Sequence, residues 1–206
     1  MSGPQTPPES GSSAPLGSGT LLKTALRDQL LTTRHRLGLP HIGDRARALA
    51  EVVAGCEEVR RAATVAAYVS IGTEPGTGPL LDLLADAGKR VILPCLLPDN
   101  DLDWAAYDGR LVRAARGLLE PAGERLGVEA IATADVVLVP GLAVDSVGHR
   151  LGRGGGSYDR ALARVPVGTF TCVLLYDDEV GVPVPVEAHD RRVVAAATPS
   201  GIVRLG

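Results

Sequence analysis

ADVVLVPG, residues Ala134 to Gly141, is a continuous apolar run closed by proline and glycine. A strand with one wet face alternates apolar and polar residues. An unbroken run is expected of a strand buried on both faces, at the centre of a parallel sheet. GHRLGRGGGSYDR, Gly148 to Arg160, follows directly and leads into a short helix expected over Tyr158 to Val165. Strand, Gly-rich loop and helix in that order place the glycines beyond the carboxyl end of a central strand, where open α/β sheets bind ligands.

Working outward, the chain alternates in the manner of parallel-sheet units. TVAAYVS (Thr64 to Ser70) reads as a strand, LLDLLADAG (Leu80 to Gly88) as a helix ending at glycine, and RVILP (Arg90 to Pro94) as the next strand. DLDWAAY (Asp101 to Tyr107) is a further strand and RGLLEPAG (Arg116 to Gly123) a turn-rich crossing. TFTCVLLY (Thr169 to Tyr176) and RVVAAAT (Arg192 to Thr198) are the closing strands. Upstream, a helix is predicted from Thr20, with Leu22, Leu26, Leu30 and Leu37 on one face, and a second from Ile42 to Val53. Met1 to Gly19 is Pro, Gly and Ser with almost nothing to bury, so it is expected to be a flexible tail. The prediction is a single α/β catalytic domain over residues 20–206, an open, mostly parallel sheet flanked by helices.

With 206 residues, 45% of them hydrophobic, the chain can build one sizeable core. A net charge of −3 and an aromatic content of 3% exclude a basic field for polyanions and supply little for base stacking, so no nucleic-acid partner is expected. Cys56, Cys95 and Cys172 are odd in number and widely spaced, as buried, reduced thiols of a cytoplasmic protein would be. The start of the chain lacks a signal-peptide pattern and no run is long enough to span a bilayer. A soluble, cytoplasmic monomer acting on small molecules is expected.

Within the Gly-rich segment, Gly148, Gly152, Gly154, Gly155 and Gly156 are punctuated by Arg150 and Arg153. Residues without Cβ let backbone N–H groups converge on one point, and arginine grips phosphate oxygens, so the segment is a candidate anion cradle. A bare flexible loop is the competing reading. Known fingerprints do not explain it: the G-K-[ST] of a Walker loop is missing, Ser157 stands at the last place of G-x-G-x-x-G, and Asp159 stands where G-x-S-x-G needs glycine.

Elsewhere, Lys23, Arg27 and Arg34 fall within about 40° on the first helix, since separations of four and eleven residues nearly complete whole turns. They flank the leucine face and form either an aimed seam of cations or a solvated basic stripe. Glu74, in SIGTEPGT, follows a strand end and is either a substrate contact or an exposed turn acid. Trp104 and Tyr107 either stack on a ring or pack in the core, the core being favoured. Asp159 reads as a first-turn helix acid and Asp190 as a loop charge, but the two could jointly hold Mg²⁺ with phosphate oxygens. Asp145 is a weaker alternative ligand, and His189 an orienting or solvent-facing imidazole.

PGLAVDSVGHRLGRGGGSYDR, Pro140 to Arg160, resembles the signature of the 5-formyltetrahydrofolate cyclo-ligases, PGLAFD, GxRLG, then GxGYYD. Four further landmarks keep the family's order: Lys23 with Arg27, Glu74 with Thr77, Leu119 to Pro121, and His189 with Asp190. Ser157 and Val144 depart from it, each standing where the family usually has an aromatic ring. The resemblance implies a fold similar to the phosphosugar isomerase and CoA-transferase-like folds. It implies ATP-dependent cyclisation of 5-formyltetrahydrofolate to 5,10-methenyltetrahydrofolate. It assigns ATP to Lys23, Arg27 and the segment Arg150, Leu151, Gly152, Arg153, Gly154, Gly155, Gly156, Ser157 and Tyr158. It assigns folate to Glu74, beside which Val69 would be an apolar wall, and Mg²⁺ to Asp159 and Asp190; Trp104 is the aromatic candidate for a folate contact. A phosphosugar isomerase or CoA-transferase-like enzyme and a non-catalytic nucleotide-binding module stay open beside it.

Overall fold

The computed structural model describes residues 18–36 and 39–206. In chain order it begins with helices α1 (Ser18–His35), α2 (Leu39–Gly55) and α3 (Glu57–Arg61), then strand β1 (Thr64–Ala66), helix α4 (Gly78–Asp86), and strands β2 (Arg90–Leu96), β3 (Leu102–Ala106), β4 (Leu111–Arg113) and β5 (Leu119–Pro121). The second half contributes β6 (Val136–Pro140), β7 (Ala143–Val144), β8 (Arg150–Leu151), α5 (Ser157–Leu162), β9 (Phe170–Leu174), β10 (Ala195–Thr198) and β11 (Gly201–Arg204).

Seven strands form one sheet in the order β11-β10-β9-β6-β1-β2-β3. The five inner strands are parallel, and β3 and β11 are antiparallel edges. The chain moves from β1 through α4 to β2 on one side, then returns to place β6 on the other side of β1. The carboxyl ends of β1 and β6 therefore flank the switch point, where diverging connections leave a crevice.

β6 is buried on both faces, as its unbroken apolar run implied. Val136 and Leu138 pack with α2 and α4 residues such as Leu49 and Leu80, while Val137 and Val139 face Trp104, Ile131 and Ala161. Such alternation sends successive side chains into two cores. The glycine stop of α4 also holds. Gly88, at φ +69°, donates to Ala85 O, and Lys89 N donates to Leu84 O, the paired bonds that satisfy the last carbonyls of a helix.

Several sequence expectations are revised. The tail assigned to residues 1–19 lies outside the described residues up to position 17, and Ser18 and Gly19 already belong to α1. Leu22 of the expected leucine face is 59% exposed, Leu37 lies outside the described residues, and Leu26 and Leu30 pack against Leu142, Leu151 and Val184. The most buried side chains described on α1 are instead Lys23 and Arg34. The turn-rich crossing contains β5, which pairs with β4, and β11 extends the sheet past the last expected strand. β4, β7, β8 and β11 are two to four residues long, too short for a periodicity to register. The cysteines are free and buried.

Candidate functional site

A cavity of about 920 Å³ opens at the switch point. Its floor is the end of β1, with Tyr68 and Val69, and the end of β6, with Pro140 and Gly141. The β7–β8 hairpin turns the chain back so that the Gly-rich loop crosses the opening. Gly148 makes that turn possible: at φ +92° it passes so close to β10's leading segment that an added Cβ would lie 2.1 Å from Val193 O. Asp145 serves the same turn. It accepts from Val147 N, His149 N and His149 Nδ1 at 3.0, 2.9 and 2.8 Å. Burial alone would raise its pKa, but these bonds keep it below the ordinary carboxylate value. The alternative reading of Asp145 as a metal ligand is therefore corrected to a structural turn acid.

Gly152 to Gly156 line the cavity, with Gly154 and Gly156 at φ +97° and +69°. Among the described residues, no backbone acceptor pairs with the N–H groups of Arg153 to Tyr158. Arg150, 5% exposed, donates from NH1 to Pro140 O at 3.1 Å and from NH2 to Asp159 Oδ1 at 3.2 Å. Its guanidinium also lies over the Tyr158 ring at 5.9 Å, and its buried Nε has no partner among the described residues. Gly152 gives it room, since a Cβ there would meet NH1 at 2.7 Å.

α1 docks its cationic seam on this loop. Arg27 Nε donates to Gly152 O at 2.9 Å. Lys23 Nζ donates to Glu187 Oε2 at 2.7 Å and to both oxygens of Asp190 at 2.8 and 2.7 Å. Burial disfavours the ammonium, yet the two carboxylates outweigh it and hold the Lys23 pKa above its ordinary value. Arg34, on the same seam, does not reach the cavity. It is bound to both oxygens of Glu179 at 2.6 and 2.7 Å and to Gly141 O at 2.7 Å.

From β1's loop, Glu74 is 5% exposed and lines the same cavity. Its Oε2 accepts Ile71 N and its Oε1 accepts Arg153 Nε, both at 2.9 Å. Asp159 accepts Arg191 N at 3.2 Å, which ties it to the residue that follows Asp190. Trp104 is corrected: it is fully buried in the core beneath the sheet, its Nε1 unpartnered, and it does not line the cavity.

Sequence reasoning missed Glu187, Tyr68 and Asn100, which line the cavity. Glu187 stands three residues before Asp190, and its side chain meets Lys23 and Thr20. An acid beside a suspected ligand was the available signal. Tyr68, whose buried hydroxyl has no partner, looked like one more strand residue.

The family profile described as 5-formyltetrahydrofolate cyclo-ligase matches residues 20–199. The chain belongs to that family. A 5-formyltetrahydrofolate cyclo-ligase of Mycolicibacterium smegmatis is 41% identical over 190 residues, covering 89% of this chain and 97% of its own. That of Escherichia coli K12 is 36% identical over 149 residues, covering 68% and 79%. The solved 5,10-methenyltetrahydrofolate synthetase of Aquifex aeolicus superposes with a TM-score of 0.77 at 29% identity, over 89% of this chain and 93% of that one. The cyclo-ligase landmarks are thus gathered at one cavity: Lys23 and Arg27, Glu74, the β5 segment, the Gly-rich loop and Asp190. Glu120 of the β5 segment is bound there to Leu96 N and Arg125. No helix of the described residues is long and apolar enough to cross a membrane.

Proposed function

We propose that this cavity joins ATP to 5-formyltetrahydrofolate and closes the folate to 5,10-methenyltetrahydrofolate, releasing ADP and phosphate through a phosphorylated formyl intermediate. A formamide at N5 is resonance-stabilised, so N10 cannot close on its carbon until the carbonyl oxygen becomes a leaving group. The formyl oxygen attacks the γ-phosphorus, the bond to the bridging oxygen breaks as ADP leaves, and the N5 lone pair completes an imine-like cation. N10 adds to the carbon, its proton passes to the departing phosphate, and the methenyl bridge remains. No protein nucleophile is needed, and catalysis consists of positioning and charge neutralisation.

The chain's residues suit those tasks. The free N–H groups of the Gly-rich loop and the cations Lys23, Arg27, Arg150 and Arg153 receive the phosphates, with Leu151, Ser157 and Tyr158 shaping the bed. Glu74 accepts hydrogen bonds from the pterin against Val69. The carboxylates of Asp159 and Asp190 are hard oxygen donors beside the cradle, and the Glu187, His189 and Asp190 donor atoms lie within 4.8 Å of one another. They fit Mg²⁺, which when bound with phosphate oxygens supplies charge neutralisation. Lys23 now balances that acid group and would share it with the nucleotide.

The observation that carries this reading is the junction of its two halves: Arg153, from the loop, is hydrogen-bonded to Glu74, from β1. A base-driven isomerase, as a phosphosugar isomerase or CoA-transferase-like fold would suggest, finds less support. His189 is 66% exposed and turned toward Glu187 and Asp190. Purified protein given 5-formyltetrahydrofolate should develop methenyl absorbance only with Mg-ATP. Folded protein that yields no product would refute the reading, and ATP binding without turnover would favour a nucleotide-binding module.

A further inference from the structure

Asn100 and Arg116 are the two non-glycine residues of the described chain with positive φ, +65° and +58°. An L side chain is disfavoured there, and such outliers concentrate where function holds the backbone. These two hold each other: Arg116 NH1 donates to Asn100 Oδ1 at 2.7 Å. Arg160 NH2 donates to the main-chain oxygen of the same asparagine at 2.6 Å, with longer contacts to Gly155 O at 3.3 Å and Asp99 O at 3.5 Å. All three residues line the mouth of the cavity.

Both guanidinium groups are exposed, and among the described residues each is bonded to amide or carbonyl oxygens rather than to a carboxylate. The nearby acids are otherwise engaged. Asp101 is held by Arg164 through bonds of 2.9 and 2.6 Å, Glu120 by Arg125 at 3.0 Å, and Asp99 accepts Asp101 N at 3.0 Å. Two cations thus stand together at one edge, neither hydrogen-bonded to a carboxylate among the described residues. The wall on the β2–β3 side is apolar, built from Pro94, Leu96, Leu102, Leu118 and Leu119. In the sheet order β1-β2-β3, Glu74 follows β1, the apolar wall comes from β2, β3 and the β5 segment, and Arg116 stands just before β5. A folate carries its groups in the same order: a hydrogen-bonding pterin, an apolar aminobenzoyl ring and an acidic glutamate.

We propose that Arg116, with Arg160 beside it, is a specificity subsite that reads the glutamate carboxylates of the folate. The proposal rests on the folate reading above. Arginine is suited to it, since its planar fork meets a carboxylate through two parallel bonds. Asn100 fixes the fork in advance, which lowers the entropy lost on binding.

The test compares equilibrium binding, by calorimetry, of 5-formyltetrahydrofolate and of its analogue lacking glutamate, 5-formyltetrahydropteroate, together with ADP as nucleotide probe. Wild type should bind the glutamate-bearing folate about two- to fivefold more tightly, the range of exposed charge pairs. Arg116→Gln should shrink that ratio toward one, and Arg116→Lys, which keeps the charge but not the fork, should keep only part of it. Equal binding of both folates by wild type, or an undiminished ratio in Arg116→Gln, would overturn the proposal. Weakened ADP binding by Arg116→Gln with the folate ratio intact would assign these arginines to the nucleotide and overturn it too. Failure of both folates to bind refutes the folate reading along with the subsite. A discriminating protein that makes no product would keep the subsite and refute only the turnover.

Discussion

Lys23 and Arg34 are buried cations on one seam of α1, 4% and 1% exposed, and each holds a carboxylate from the second half of the chain. Their surroundings differ. Arg34 is enclosed: Glu179 takes it through two oxygens, Gly141 O takes its NH2, and the Tyr176 ring lies 5.5 Å away. Glu179 is in turn bound by Tyr176 N at 2.9 Å. Lys23 sits at the cavity, and Glu187, one of its partners, is 31% exposed. One cation rivets the helix to the end of β6. The other is a charge that a ligand can reach. One helix face therefore yields an enclosed cation and a cavity-lining one, according to what lies across the seam.

The largest effect on stability is expected from Arg34→Met, which strands Glu179 in the core. Breaking a buried pair from one side costs about 3–5 kcal/mol, which urea unfolding would register as a large fall in midpoint. A loss under 1 kcal/mol would mean that the pair is not closed. Lys23→Met should cost far less stability but lower kcat/KM for ATP about a hundredfold, the scale for removing one charge-stabilising donor. If it instead unfolds the protein while Arg34→Met does not, the contrast is reversed.

The smallest effect is in the pH dependence, where the two carboxylates have opposite signs. For Asp190, burial alone would raise the pKa, but Lys23 and the Glu187 N–H lower it overall. Its contribution is present above the unfolded carboxylate value of about 4 and lost as pH falls through the folded value. For Glu179, burial dominates and pushes the carboxyl up despite Arg34. A raised pKa favours the fold at low pH and loses that contribution as pH rises through the folded value. Unfolding midpoints measured from pH 7 down to pH 3 should therefore fall less steeply in Lys23→Met than in wild type. Parallel curves would show that Asp190 does not depend on Lys23.

Much of the site was legible wherever chemistry and spacing lie close together in the chain. The glycines and arginines of the loop could be read because a glycine's backbone freedom and an arginine's charge are local properties. Trp104 could not be placed, since a scarce aromatic on a strand looks the same facing a ligand or facing Ile92 and Val137 across the core. Leu22 misled for a related reason. Helical periodicity fixes which residues share a face but not how far that face turns, and here the cations were drawn inward by Glu187, Asp190 and Glu179. The pairing of Arg116 with Asn100 had no signal in the sequence, because the two residues lie sixteen positions apart and meet only in the fold.

By itself, then, the sequence determined the central strand, the glycine- and arginine-rich loop of Gly148 to Arg160 and the family landmarks, because each depends on residue type and short-range order. Only the tertiary structure decided which charges meet. The partner of Lys23 lies 167 residues away at Asp190, that of Arg34 lies 145 away at Glu179, and that of Arg153 lies 79 away at Glu74. Such pairings are set where the sheet reverses its winding between β1 and β6, a property of strand order that no local pattern carries.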